Sequence, residues 1–358
     1  MRRRSVLLGA AALAGCAQTP LPQIALPSLG QRRPIVIAHR GASGERPEHT
    51  IAAYRLAIAQ GADVIEPDLV LSKDGVFVCR HENEISGTTD VAARAEFADR
   101  RTVKRIDGVE VSGWFTEDFT LAELKTLRCK ERLPDLRPGS AYFDGQETIP
   151  TFDEVLRLAL EGGVGVCPEL KHPRHFQSVG LDMSVEFMDR VGAWRRERAG
   201  PRIFAQCFEI APLRRLAELG SFANVESVQL IAAGGGPADE PARRYADMVA
   251  NDGLRAIAQY ADAIGVEKSL IIPRDAQGRS LPTTNLVGRA HFVDLKVYVW
   301  TFRAENYFLP LERRRGDPEA PDYLRTRGDL EGEIAQFADL GVDGVFTDHT
   351  APAIAALR

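Results

Sequence analysis

Four short strings in this 358-residue chain combine imidazoles, carboxylates and cations at spacings suited to reaction chemistry: His39-Arg40-Gly41, Glu66-Pro67-Asp68, Arg80-His81-Glu82 and Glu169-Leu170-Lys171. Alternate residues of a strand share a face, so Glu66 and Asp68 project together, as do Glu169 and Lys171. Three carboxylates gathered at one mouth repel one another and raise their own pKa values unless a cation sits among them. A hard divalent ion resolves that conflict. An all-oxygen donor set favours Ca²⁺ (or Mg²⁺) over zinc, which makes Glu66, Asp68 and Glu169 candidate metal ligands. With His39 and His81 flanking the ion, one imidazole as base and the other as acid supply the two proton transfers that cleaving a phosphate ester requires. Arg40 and Lys171 then face the non-bridging phosphate oxygens. Taken singly, each of these residues has a bland alternative: a hydrogen-bonded histidine at a strand end, a solvated acid, a cation paired with its neighbour. The repetition on successive strand ends carries the reading.

Those strings must be held by elements, and the chain from Pro34 onward alternates Val/Ile-rich runs with capped amphipathic stretches that stop at glycine. Eight strands are expected at Ile35–His39, Asp63–Leu71, Val164–Leu170, Arg202–Phe208, Val225–Ile231, Ala263–Val266, Val297–Phe302 and Val342–Thr347. Helices fall between them. The first runs from about Thr50 to Gln60; Thr120 with Glu123 and Thr151 with Glu154 read as capping boxes. This pattern predicts an α/β fold, a (β/α)₈ barrel over residues 34–358 with the polar strand ends at its C-terminal rim. The runner-up, an open doubly wound sheet, lacks a G-x-G-x-x-G string after the first strand.

No crossover helix fits between Leu71 and Val76, so Val76–His81 is read as an antiparallel arm folded back on the second strand. A plain two-residue loop at Lys73-Asp74 sets Glu66 opposite His81, whereas a glycine bulge shifts that register. Residues from about 83 to 148 exceed one βα loop. They are polar, with one convincing helix near Leu121–Leu127, and are read as an inserted subdomain above the barrel.

The charge balance, 45 Lys+Arg against 50 Asp+Glu for a net −5, argues against a nucleic-acid partner. It also gives no attraction to an anionic membrane. Residues 1–15 carry Arg2, Arg3 and Arg4 and then an apolar run from Val6 to Leu13, an export signal too short to span a bilayer. Leu13-Ala14-Gly15-Cys16 resembles a bacterial lipobox, which implies cleavage before Cys16, lipidation of its thiol and a lipid-anchored protein on the periplasmic side of the envelope. A cut at another alanine would instead remove Cys16, and the paired arginines leave the twin-arginine export route open. Residues 16–33, rich in proline, read as a tether, so that membrane attachment is expected through Cys16 only. Cys79, Cys129, Cys167 and Cys207 show no metal spacing and read as small buried hydrophobes, with disulfides left open.

The strings His39-Arg40-Gly41-Ala42-Ser43-Gly44, Pro47-Glu48-His49-Thr50, Gly61 to Asp68, Lys73-Asp74-Gly75 and Arg80-His81-Glu82 resemble the glycerophosphodiester phosphodiesterase family. The likeness continues through Ile149-Pro150-Thr151, Pro168 to Lys171, Gln206-Cys207-Phe208, Val299-Trp300-Thr301 and Gly344 to Asp348. The insertion with Asp118-Phe119-Thr120-Leu121 is similar to that of the periplasmic branch. The resemblance implies a TIM barrel that hydrolyses a small-molecule glycerophosphodiester to glycerol 3-phosphate and an alcohol, usually with Ca²⁺ or Mg²⁺. It implies metal ligation by Glu66, Asp68 and Glu169, acid-base catalysis by His39 and His81, and substrate contacts by Arg40, Lys171, Gln206 and Trp300. Glu45 and Glu82 depart from the family's usual residues, which bears on head-group choice. Two alternatives stand beside this: a lipid phosphodiesterase, for which Trp114 and Phe143 would form an apolar rim, and a non-catalytic ligand-binding lipoprotein.

Overall fold

Short runs of β-branched residues, apolar on both faces, form strands buried between helices and a packed interior. In the computed structural model, which describes residues 33–197, 201–218 and 225–358, the first are Ile35–His39 (β1), Val64–Glu66 (β2), Asp68–Leu71 (β3) and Phe77–Cys79 (β4). The pair Thr102–Ile106 (β5) and Val109–Gly113 (β6) forms a separate hairpin, followed by Gly165–Val166 (β7), Glu169–Leu170 (β8), Ile203–Cys207 (β9) and Val225–Ile231 (β10). Ala263–Glu267 (β11), Lys296–Phe302 (β12) and Gly344–Thr347 (β13) complete the set. The export-signal and tether readings, and Cys16 with them, lie outside the described residues.

Parallel pairing runs from β1 through β2, β7, β9, β10, β11 and β12 to β13, which returns to β1 and closes the expected eight-stave barrel. Its lower interior is filled. Ile37, Val64, Cys167, Phe204, Val228, Ala263, Tyr298 and Phe346 form one buried cluster, one side chain from each stave, so the barrel is a plug with chemistry possible only at its rim. Among the described residues no helix is long and apolar enough to cross a membrane.

Two expected strands are each broken at a proline. Asp63–Leu71 divides at Pro67 into β2 and β3, and Val164–Leu170 divides at Cys167-Pro168 into β7 and β8. Proline lacks the N–H that a central strand must donate. The carbonyls still serve: Pro67 O accepts from Glu169 N (2.9 Å) and Pro168 O from Gln206 N (2.9 Å). Beyond the break, β3 leaves the wall to pair with β8 on one side and with β4 on the other.

The β3–β4 hairpin corrects the plain-loop register. Leu69 pairs with Cys79 and Leu71 with Phe77; Gly75 at φ +75 takes the left-handed position that a bulged three-residue loop needs. Asp68 O therefore accepts from Arg80 N (3.1 Å), and Glu66 does not stand opposite His81.

Thr50 caps the helix Ile51–Ala59, and both expected capping boxes form, on Leu121–Leu124 and Phe152–Gly162. The inserted segment is not independent of the barrel. Its Phe97, Trp114, Phe119, Leu124 and Leu127 share one buried cluster with Leu69, Leu71, Phe77 and Val78. Sequence reading missed its β5–β6 hairpin, whose Asp107-Gly108 turn has φ of +48 and +88. The four cysteines are buried and free.

Candidate active site

The C-terminal strand ends deliver the reactive groups in register. His39 closes β1 with Glu66 of β2 as its Cα partner, Asp68 pairs with Glu169, and Glu169 pairs with Gln206 of β9. Arg40 turns the chain away at φ +59, which aims its backbone N–H at Glu66 Oε2 (2.8 Å). Around these ends lies a cavity of ≈ 250 Å³ lined by His39, Arg40, Glu66, His81, Glu169, Gln206 and Trp300, with Phe208 among its apolar walls. Asp68 and Lys171 stand just behind that lining.

Glu66, Asp68 and Glu169 each offer an oxygen within 4.8 Å of the others, and all three are buried. Asp68 Oδ2 meets His49 Nε2 (2.8 Å), while its Oδ1 is buried without a hydrogen-bond partner. Burial, together with Asp68 and Glu169, pushes the Glu66 carboxyl well above the usual range. Burial also raises Glu169, to about 8, against the pull of Lys171 at 2.9 Å. Asp68 goes the other way: burial opposes its charge, but Lys171, His49 and Arg40 hold it well below the usual range. A compact, all-oxygen, over-charged cradle with an idle carboxylate oxygen fits a hard divalent cation.

The two imidazoles share one construction. His39 Nδ1 lies 2.6 Å from Asp348 Oδ1, and His81 Nδ1 lies 2.5 Å from Glu82 Oε1. A carboxylate behind Nδ1 selects the tautomer that leaves Nε2 with its lone pair. His81 Nε2 meets Lys171 Nζ at 3.1 Å, so the ammonium donates to it. Burial, then the positive charge of Arg40, lowers His39 to about 4, and the same two causes with Lys171 lower His81 to about 3. Both rings are neutral near pH 7. Gln206 Nε2 donates to Glu66 Oε1 (3.0 Å) and Cys167 O, and the Trp300 indole, fixed by its N–H to Gly265 O (2.9 Å), stands edge-on to Phe208.

Residues 39–351 match the model of the glycerophosphoryl diester phosphodiesterase family. The chain belongs to this family. It is 34% identical to a glycerophosphodiester phosphodiesterase of Arabidopsis thaliana over 96% of this chain and 93% of that one. It is 26% identical to a glycerophosphodiester phosphodiesterase of Haemophilus influenzae over 94% and 96%. Among solved structures, a phosphodiesterase of Oleispira antarctica in complex with the product sn-glycerol-3-phosphate superposes with a TM-score of 0.57 at 22% identity, covering 90% of this chain and 96% of that one. The glycerophosphodiester phosphodiesterase of Agrobacterium tumefaciens gives 0.52 at 17%, covering 90% and 99%. At such identities the superpositions speak for the barrel.

Seen as a member of this phosphodiesterase family, the chain holds site residues that strand-end reading passed over. Asp348 directly follows β13 and was available to the same rule. Arg132 and Arg137 were not, because they reach the rim from the insertion: Arg132 bridges Glu48 (2.7 Å) and Glu82 (2.7 Å), and Arg137 bridges Glu305 (2.6 Å) and Asp348 (2.6 Å). Trp114 and Phe143 do not make the apolar rim of the lipid-phosphodiesterase alternative. Trp114 is buried with its indole N–H on Phe97 O, and the Arg46 guanidinium lies 3.8 Å over the half-buried Phe143 ring.

Proposed function

We propose that this chain hydrolyses water-soluble glycerophosphodiesters to glycerol 3-phosphate and an alcohol at the cavity bounded by His39 and His81. The observation that carries the reading is the pair of carboxylate-backed imidazoles flanking a buried three-carboxylate cradle, in a chain of this family. Glu66, Asp68 and Glu169 would hold Ca²⁺ or Mg²⁺, which supplies charge screening for the phosphoryl oxygens and a lowered pKa for the attacking hydroxyl.

His39, with Nε2 unencumbered, takes the proton of the glycerol hydroxyl next to the phosphoester. That oxygen forms its bond to phosphorus, the phosphorus bond to the alcohol breaks, and His81 protonates the departing oxygen. For that step His81 enters protonated, which the anionic diester favours once the Lys171 ammonium turns from Nε2 to the diester. Water then opens the cyclic phosphate with the two imidazoles exchanging roles. Arg40 faces the phosphate oxygens, Lys171 adds its charge from behind, beside Glu169 and His81, Gln206 steadies Glu66, and Trp300 forms the wall against the glycerol carbons.

The same proposal places the enzyme outside the cytoplasm. Support comes from the signal-like residues 1–15 and the lipobox-like Cys16, and acylation of the mature N-terminus by mass spectrometry tests it. The activity is tested by glycerol 3-phosphate release from a panel of glycerophosphodiesters after chelation and re-addition of Ca²⁺, Mg²⁺ or Zn²⁺. No release under any metal, or release only from intact bilayer phospholipid, would overturn the reading.

A further inference from the structure

We infer that Arg132 and Arg137, neighbours on the inserted segment, position the two reacting imidazoles, each by holding the carboxylate that receives an Nδ1–H. The inference rests on the acid-base reading of His39 and His81 above. Arg132 grips Glu82 with both terminal nitrogens (Nη1 to Oε1 3.0 Å, Nη2 to Oε2 2.7 Å), and Glu82 Oε1 faces His81 Nδ1 at 2.5 Å. Arg137 Nη2 reaches Asp348 Oδ2 (2.6 Å), while Asp348 Oδ1 faces His39 Nδ1 at 2.6 Å. One short loop therefore stands behind both ends of the proposed proton path.

The loop itself is braced. Arg137 N donates to Leu133 O (2.8 Å), Leu133 N to Glu131 Oε1 (2.8 Å) and the Ser140 hydroxyl to Glu131 Oε2 (2.5 Å), with Glu131 buried. Each arginine is also anchored by a second acid, Glu48 for Arg132 and Glu305 for Arg137. Planar two-pronged pairing of this kind fixes direction as well as charge. The two arms differ in redundancy. Asp348 Oδ2 also accepts from Arg303 Nε (2.8 Å), whereas Arg132 is the one arginine or lysine paired with Glu82 among the described residues. His81 should depend on Arg132 more than His39 depends on Arg137.

A leaving-group comparison reads the two arms separately, because an aryl oxide departs without a proton and an alkyl oxide does not. The substrates are glycerophosphocholine and the glycerol phosphodiester of p-nitrophenol, assayed with His39→Ala, His81→Ala, Arg132→Gln and Arg137→Gln. Arg132→Gln is expected to follow His81→Ala, losing about 10- to 100-fold in kcat on the choline ester and far less on the aryl ester, with KM within about twofold. Arg137→Gln is expected to follow His39→Ala, with a smaller loss shared by both substrates. An Arg132 variant that weakens both substrates equally, or changes KM alone, overturns the inference. Should Arg132→Gln not fold, Arg132→Lys keeps a charge between Glu48 and Glu82 but loses the fork, and its leaving-group asymmetry decides. If His81→Ala itself shows no asymmetry, the acid assignment fails; each arginine must still reproduce its own histidine's pattern, and a mismatch sinks the inference alone.

Discussion

His39 is the side chain on which the proposed first proton transfer turns. Its Nδ1 is committed to Asp348, and burial with the neighbouring Arg40 lowers it to about 4, so the ring meets substrate neutral and able to accept. His39→Ala should cut kcat by about two to four decades with the fold retained, checked by single-turnover rates beside circular dichroism. Near-native turnover would remove it as base. The strand-end rule brought His39, Glu66, Asp68, Glu169 and Lys171 into view because each lies in or just after a Val/Ile-rich run: His39 and Glu66 end β1 and β2, while Asp68 and Glu169 open the segments beyond the proline breaks. His49 shows where that rule stops. It is wholly buried, accepts or donates at both ring nitrogens to Tyr54 and Asp68, and carries no strand-end signal. Its role depends on a contact 19 residues away in sequence, which no local pattern encodes.

At the scale of elements, the turn after β1 and the helix Ile51–Ala59 are fitted to each other through Gly41. Gly41 has φ +84, and a Cβ there would lie 2.7 Å from the Ala53 carbonyl carbon and 2.8 Å from its Cβ. Backbone cannot yield as a flexible side chain can. Gly41→Ala should therefore cost about 3 kcal/mol from strained φ and overpacking combined, read as a lower midpoint in urea, and should pull Arg40 off Glu66 so that activity falls further than stability alone explains. A variant with unchanged midpoint would show that the helix has room to move. The alternation of strands and helices was legible because its periodicity is local, and Thr120, Thr151 and Gly61 mark helix ends that form as expected. The two broken staves were legible in principle, since Pro67 and Pro168 sit in plain view. What the sequence does not carry is where a chain goes after such a break: β3 turns to β4 and β8 through pairing with distant partners. The β5–β6 hairpin was missed because Thr102–Ile106 does not alternate and the Val109-Glu110-Val111-Ser112 alternation of β6 is only four residues long, in strands whose residues are at least partly exposed at four of five positions each.

For the whole molecule, the carboxylate cradle and the buried histidines couple stability to solution conditions in ways that can be separated. A cation that binds only the folded cradle stabilises it by about 2.7 kcal/mol at a hundredfold excess over Kd, so Tm should rise with Ca²⁺ or Mg²⁺ in wild type and not in Asp68→Ala. A Tm insensitive to both ions would argue against the site. Acid acts on the two site imidazoles and, outside the cradle, through His349. This ring is 1% exposed, its Nδ1 accepts from Ala304 N (3.3 Å), and Glu305, Arg137, Asp348 and Arg327 surround it. Burial outweighs the nearby acids and lowers it from 6.5 to about 4. Between those values the unfolded chain binds a proton that the folded one refuses, so the stabilisation is complete above the unfolded value and disappears as pH falls through the folded one. The amount is about 3 kcal/mol. His349→Asn keeps an acceptor for Ala304 N–H and removes the titration. Urea unfolding at about pH 7 and about pH 4.5 should show wild type losing more stability than the variant across that interval, even though the variant starts lower. Equal losses in the two proteins would mean that the acid sensitivity of this barrel lies in other groups.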